Sequence, residues 1–94
     1  MENKANKLSA VLKVISNPNR LMILCLLEEK ELTVSCIGQQ IPNISLSAIS
    51  QHLSALKLAG MVQSEKKGLQ VYYRIADENV LKLMKSLKEI YCGE

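Results

Sequence analysis

The sequence contains no tryptophan and no phenylalanine, and its three aromatic residues are all tyrosine. With hydrophobic residues at 48% of the chain, the core has to be built from aliphatic side chains. Cysteine occurs three times and never in CxxC spacing, which excludes a disulfide scaffold and a zinc ribbon. Long apolar runs are absent. The longest, LMILCLL at 21–27, has seven residues, against the roughly 20 that a membrane-spanning helix needs. The opening MENKANKLSA is polar, unlike a secretory signal. These absences predict a cytoplasmic protein with reduced thiols and no membrane partner.

What is present fits one small domain over residues 1–94. A domain of this size buries only about 60–68% of its unfolded surface, so pairing with a second copy would add apolar burial. The net charge is +3, from 12 basic and 9 acidic residues, and it is unevenly placed. Lys4, Lys7, Lys13 and Arg20 outweigh Glu2, whereas Glu28, Glu29 and Glu31 outweigh Lys30. Residues 45–56 carry no Asp, Glu, Lys or Arg, and Lys57, Lys66, Lys67 and Arg74 then outweigh Glu65. A neutral segment beside a basic one suits nucleic acid, with bases read by neutral polar groups and phosphates met by lysines. An ordinary solvated surface would give the same count.

Periodicity divides the chain into seven elements. Leu8, Val11, Leu12 and Ile15 recur at helical spacing and predict a first helix over 5–15. Asn17 can cap a second, over 18–28, with Pro18 at its first position. That helix is apolar almost all round, should be largely buried and contains Cys25. Thr33 can cap a short third helix running to about Gln40, and Pro42 breaks it. Ser45 can cap a fourth, LSAISQHLSALKLA, which stops at Gly60. Its Ile49, Leu53 and Leu56 form one stripe, and Ser47, Gln51 and Ser54 the opposite one.

After Gly60 the period changes to two. MVQSEK and QVYYRI flank Lys67–Gly68, which predicts a hairpin turn. In the second strand Val71, Tyr73 and Ile75 should share one face, and Gln70, Tyr72 and Arg74 the other. Asp77 opens a last helix with Val80, Met84, Leu87 and Tyr91 on one side. The predicted fold is mainly α with a small β-hairpin, in the order α-α-α-α-β-β-α, a winged helix-turn-helix. A recognition helix needs short neutral hydrogen-bonding side chains at its leading end. Ser45, Ser47, Ser50, Gln51 and His52 supply them, and Lys66 and Lys67 at the hairpin tip would reach phosphate of a double-stranded DNA partner.

The stretch LSAISQHLSALKLAGMVQSEKKGLQVYYRI resembles the signature of the ArsR (arsenical-resistance repressor) family of bacterial regulators. SNPNRLMILCLL and KELTVSCIGQQI resemble the preceding family segments, so the likeness covers roughly residues 8–92. It implies a homodimer held by the first and last helices. Its two recognition helices would lie in successive major grooves of a near-palindromic operator, with half-sites about 34–36 Å apart.

Many members of this family sense metal. One of the family's sites uses cysteines in a segment like ELCVCDL, where this chain has ELTVSCI, with Thr33 and Ser35 at the positions that need thiolates. Another uses Asp and His on the last helix, which here has no histidine. A transition-metal site wants three or four soft or imidazole ligands, so neither metal nor any other cofactor is expected. The cysteines remain. Cys25 alone reads as a small core residue. Together, LMILCLL and LKEIYC resemble the dithiol, HlyU-like branch of the family, whose members respond to persulfides and polysulfides. The resemblance implies sensing thiols at Cys25 and Cys92, bridged by a disulfide or a longer sulfur chain when modified, with DNA then released. Cys36 departs from that branch's pattern.

Three rivals remain open. A small thiol oxidoreductase would normally show CxxC or a nucleophile at a helix N-terminus, and no enzyme is expected. A winged helix used for protein contact would bind no duplex. An ArsR-type regulator whose cysteines are structural, and whose signal is a different ligand or metal, would bind DNA indifferently to sulfur donors.

Overall fold

A computed structural model describes residues 2–92, with side chains for residues 2–91. The elements are α1 (Glu2–Ile15), α2 (Pro18–Glu29), α3 (Val34–Gln40), α4 (Leu46–Leu58), β1 (Val62–Lys67), β2 (Gln70–Ile75) and α5 (Glu78–Cys92). The fold is the expected winged helix-turn-helix. No single helix among the described residues is long and apolar enough to cross a membrane.

Each helix start from α2 onward is fixed by a short polar side chain that accepts from an otherwise orphaned N–H. Asn17 accepts from the amides of Asn19 and Arg20, and Thr33 from that of Cys36. Ser45 accepts from Ala48 N–H and Asp77 from Asn79 N–H. The first helix begins at Glu2, three residues before the expected start, with its acidic residue favourably placed in the first turn. At the far end of α4, Gly60 adopts φ +77°. Its N–H donates to Lys57 C=O and that of Met61 to Leu56 C=O, both at 2.9 Å. This is the paired Schellman closure that a left-handed residue permits.

The core is aliphatic, as the composition requires. Ile23, Leu24, Ile37, Ile49, Leu53, Leu56 and Met84 are fully buried, with Ile15, Leu27, Ile41, Met61, Val62 and Val80 around them. The second helix is less covered than its apolar sequence predicts. Ile23, Leu24 and Leu27 are buried, but Leu21 and Met22 are exposed and Cys25 and Leu26 half-buried. An all-round apolar helix needs cover on every side, and in one chain α2 has neighbours on only part of its circumference. In α1, residues 2–10 are all exposed, Leu8 among them. Along α5 the cover thins toward the end, from buried Val80 and Met84 through half-buried Leu87 to exposed Ile90 and Tyr91.

The hairpin pairs Val62 with Ile75 and runs to Lys67 opposite Gln70. Its two-residue turn is therefore Gly68–Leu69, one position beyond the expected Lys67–Gly68. Gly68 has φ +66°, and among the described residues no non-glycine residue has positive φ. Positive φ at the first central position alone is the type II′ requirement, and it draws Lys67 back into the ladder. Along β2 the burial does not alternate cleanly, because Tyr73 and Ile75 are half-buried but Val71 on the same face is exposed, and Tyr72 on the other face is half-buried. Leu32 adds a short antiparallel bridge on the outer edge of β2, exchanging backbone hydrogen bonds of 3.0 and 2.8 Å with Tyr73.

Candidate nucleic-acid interface and thiol recess

α3 and α4 form the helix-turn-helix, and Gly38 lies where they approach each other. A Cβ on Gly38 would stand 2.5 Å from Leu46 Cδ2. α4 is held from within by Ile49, Leu53 and Leu56, all fully buried. Helical geometry therefore turns Ser47, Ser50, Gln51 and Ser54 outward, and all four are exposed. The outward face is neutral and short, apart from half-exposed Leu46, and can enter a groove without a charged residue holding it off. Ser45 is exposed too, with its oxygen engaged as the cap.

His52 is placed differently from the serines. It is half-buried, and its Nδ1 accepts from Arg20 Nε at 3.3 Å. Arg20 Nη1 also donates to Val14 C=O at 3.4 Å, so α1, α2 and α4 meet at this guanidinium. Lys57, in the last turn of α4, donates to Ser64 Oγ of β1 at 2.7 Å. The wing is thus tied to the recognition helix. Neither Arg20 nor Lys57 was singled out from sequence, because their partners lie elsewhere in the fold.

Lys66 and Lys67 close β1, Lys67 lying in the ladder rather than in the turn expected for it, and they point to opposite faces. Cross-strand partners share a face, so Lys66 lies on the side of Val71, and Lys67 on the side of Gln70 and Tyr72. Lys67 is engaged. Its ammonium pairs with Glu31 across β2 and lies 5.4 Å from the centroid of the Tyr72 ring. The hydrogen bond to Glu31, aided by the nearby negative charges, holds the Lys67 pKa above its ordinary 10.5. The exposed apolar tip of the wing is Leu69, at 98% exposure.

The second region is a recess of about 240 Å³ between α2 and α5, lined by Leu21, Cys25, Met84, Leu87, Lys88 and Tyr91. Lys88 Nζ donates to Cys25 C=O at 3.2 Å and pairs with Glu29 at 3.5 Å and Glu28 at 3.9 Å. Its charge is therefore balanced at the end of α2. The backbone of Cys92 closes α5, and its side chain, with the expectation placed on it, lies outside the described residues. Cys36 is an exposed thiol on α3, beside Thr33, Ser35, Gln70 and Val71. Among the described residues no three His, Cys, Asp or Glu side chains gather as a metal site would require.

A helix-turn-helix with a neutral outward face, braced by a basic wing, defines a DNA-binding transcriptional regulator of the winged-helix class. The chain belongs to the family described as "Bacterial regulatory protein, arsR family", whose model matches residues 17–64. It is 35% identical over 94 residues to the biofilm growth-associated repressor of Xylella fastidiosa, covering 100% of this chain and 82% of that one. It is also 35% identical to the transcriptional activator HlyU of Vibrio cholerae, covering 98% of this chain and 84% of HlyU. The HlyU structure superposes with a TM-score of 0.92, covering 98% of this chain and 99% of that one. A homodimeric winged helix-turn-helix DNA-binding domain from Mycobacterium bovis is similar at 32% identity and a TM-score of 0.80, over 95% of this chain and 82% of that one. These likenesses support the HlyU branch of the family.

Proposed function

We propose that the protein acts as a homodimer that binds a near-palindromic operator when reduced and releases it when reactive sulfur species bridge Cys25 and Cys92. The dimer would form through α1 and α5, the helices whose apolar residues Leu8, Leu12, Ile90 and Tyr91 are exposed in the single chain. The observation that carries the switch is the α2–α5 recess. Cys25 lies in its wall, and Tyr91, which also lines it, immediately precedes Cys92 in the sequence.

The chemistry needs no further oxidant. Each thiolate attacks the outer sulfur of a persulfide and keeps it, and the donor leaves as its thiol. The two cysteine persulfides then condense to a trisulfide and expel hydrogen sulfide. Attack of an unmodified thiolate on the inner sulfur of a single cysteine persulfide gives the plain disulfide, again with hydrogen sulfide leaving. A bridge between α2 and α5 would strain the dimer helices against the core that carries α4, shifting the separation of the two recognition helices.

DNA contact would fall to Ser45, Ser47, Ser50, Gln51 and His52 in the major groove, with Lys66 and Lys67 on phosphate. The test is binding to a duplex that the reduced protein itself selects from a random-sequence pool. A persulfide donor should release the wild type but neither Cys25→Ser nor Cys92→Ser. Release of all three alike would remove these thiols from the signal.

A further inference from the structure

His52 is the chain's only histidine, and the structure constrains its chemistry more tightly than its neighbours on α4. Its Nδ1 lies 3.3 Å from Arg20 Nε. A guanidinium has five N–H donors and no acceptor, so the ring nitrogen that faces it has to carry the lone pair. A neutral imidazole has one N–H, and that proton then sits on Nε2. Arg20 is itself held in place. Its backbone N–H donates to Asn17 Oδ1 at 3.1 Å, which fixes the first turn of α2, and Nη1 donates to Val14 C=O at 3.4 Å.

We propose that Arg20 is a positioning residue that locks His52 in the Nε2–H tautomer, so that the recognition helix offers DNA a hydrogen-bond donor at this position and never an acceptor. The inference rests on the reading of α4 as the DNA-facing helix. A donor is complementary to guanine O6, to N7 of either purine, to thymine O4 and to phosphate oxygens, and it is mismatched to the amino groups of cytosine and adenine. Phosphate and base acceptors share this chemistry. The first would fix the register of the helix without sequence preference, and the second would add preference at one base pair.

A single histidine makes the tautomer directly readable by long-range ¹H–¹⁵N NMR of the full-length protein, at a pH where the ring is neutral. The expected spectrum has a protonated Nε2 and an unprotonated Nδ1, and Arg20→Met should move both nitrogens toward the exchange average of the two tautomers. An Nδ1–H tautomer in the wild type, or an unchanged one in Arg20→Met, overturns the lock. On the selected duplex, His52→Gln keeps an N–H donor near the Nε2 position and should bind within a few-fold of wild type. His52→Met should bind about tenfold more weakly, as expected for one lost hydrogen bond to a charged or base acceptor.

Equal losses in the two variants, with thermal unfolding midpoints unchanged, would refute the donor's role. Weakening that is uniform over all duplexes assigns the acceptor to phosphate, and a changed preference at one base pair assigns it to a base. A wild-type protein that enriches no duplex overturns the DNA reading and this donor's target with it, a failure distinct from that of the tautomer lock, which the NMR reads independently.

Discussion

Lys67 and Glu31 are joined across β2 although they lie 36 residues apart in sequence. The wing lysine proposed to meet phosphate is therefore already paired, and a phosphate would have to compete with a carboxylate for it. Glu31→Gln should release the ammonium, tighten binding to any duplex several-fold, and steepen the salt dependence by about 0.9 in log–log slope, the increment for one more phosphate contact. A salt titration of duplex binding reads both. Unchanged affinity and slope would mean that Lys67 stays on the protein in the complex. The raised Lys67 pKa leaves the ammonium charged at neutral pH. The pairing thus contributes evenly from neutrality up to the ordinary lysine range, and is lost only as pH rises through the raised value.

Gln51 and Lys66 should divide base reading from backbone attraction. Gln51→Ala is expected to change base preference at one position, at about 1–3 kcal/mol of discrimination. Lys66→Ala should weaken binding uniformly and lower the salt slope by about 1. Selection from a random pool separates the two effects, and identical behaviour of the variants would refute the division.

Two glycines carry different burdens. Gly60→Ala meets no atom within 4 Å but has to hold φ +77°, and should cost about 1–2 kcal/mol in left-handed strain. Gly38→Ala meets Leu46 Cδ2 at 2.5 Å. Leu46 is half exposed and can swing aside, and α3 gains roughly 0.5–1 kcal/mol in helix propensity. Denaturant midpoints should therefore fall clearly for Gly60→Ala and much less for Gly38→Ala.

The exposed apolar residues of α1 and α5 give a test of assembly. With the proposed α1–α5 dimer, Leu12→Glu, on a side chain 48% exposed in the single chain, should sediment as a monomer in analytical ultracentrifugation where the wild type sediments as a dimer, and should weaken duplex binding at least tenfold. A variant that stays dimeric would move the interface elsewhere.

Local signals were legible in the sequence. Asn17, Thr33, Ser45 and Asp77 announce their helices because a cap acts within three residues. The stripe of Ile49, Leu53 and Leu56 gives the inner face of α4 because helical period alone determines it. The hairpin turn lies one residue beyond its expected place because Gly68 suits either central position, and only the pairing of β1 with β2 decides which. α2 is less covered than its sequence leads one to expect, because an apolar sequence shows that cover is wanted and does not show that one chain provides it. The Arg20–His52 and Lys67–Glu31 contacts join residues more than 30 positions apart, and no spacing rule reaches them.

The sulfur switch is tested most directly by peptide mass mapping of the reduced protein after a persulfide donor, with hydrogen peroxide in parallel. The account predicts a Cys25–Cys92 cross-link after the donor, as a disulfide or with added sulfur, formed in step with loss of duplex binding. Unmodified Cys25 and Cys92 in protein that has released its DNA would contradict it.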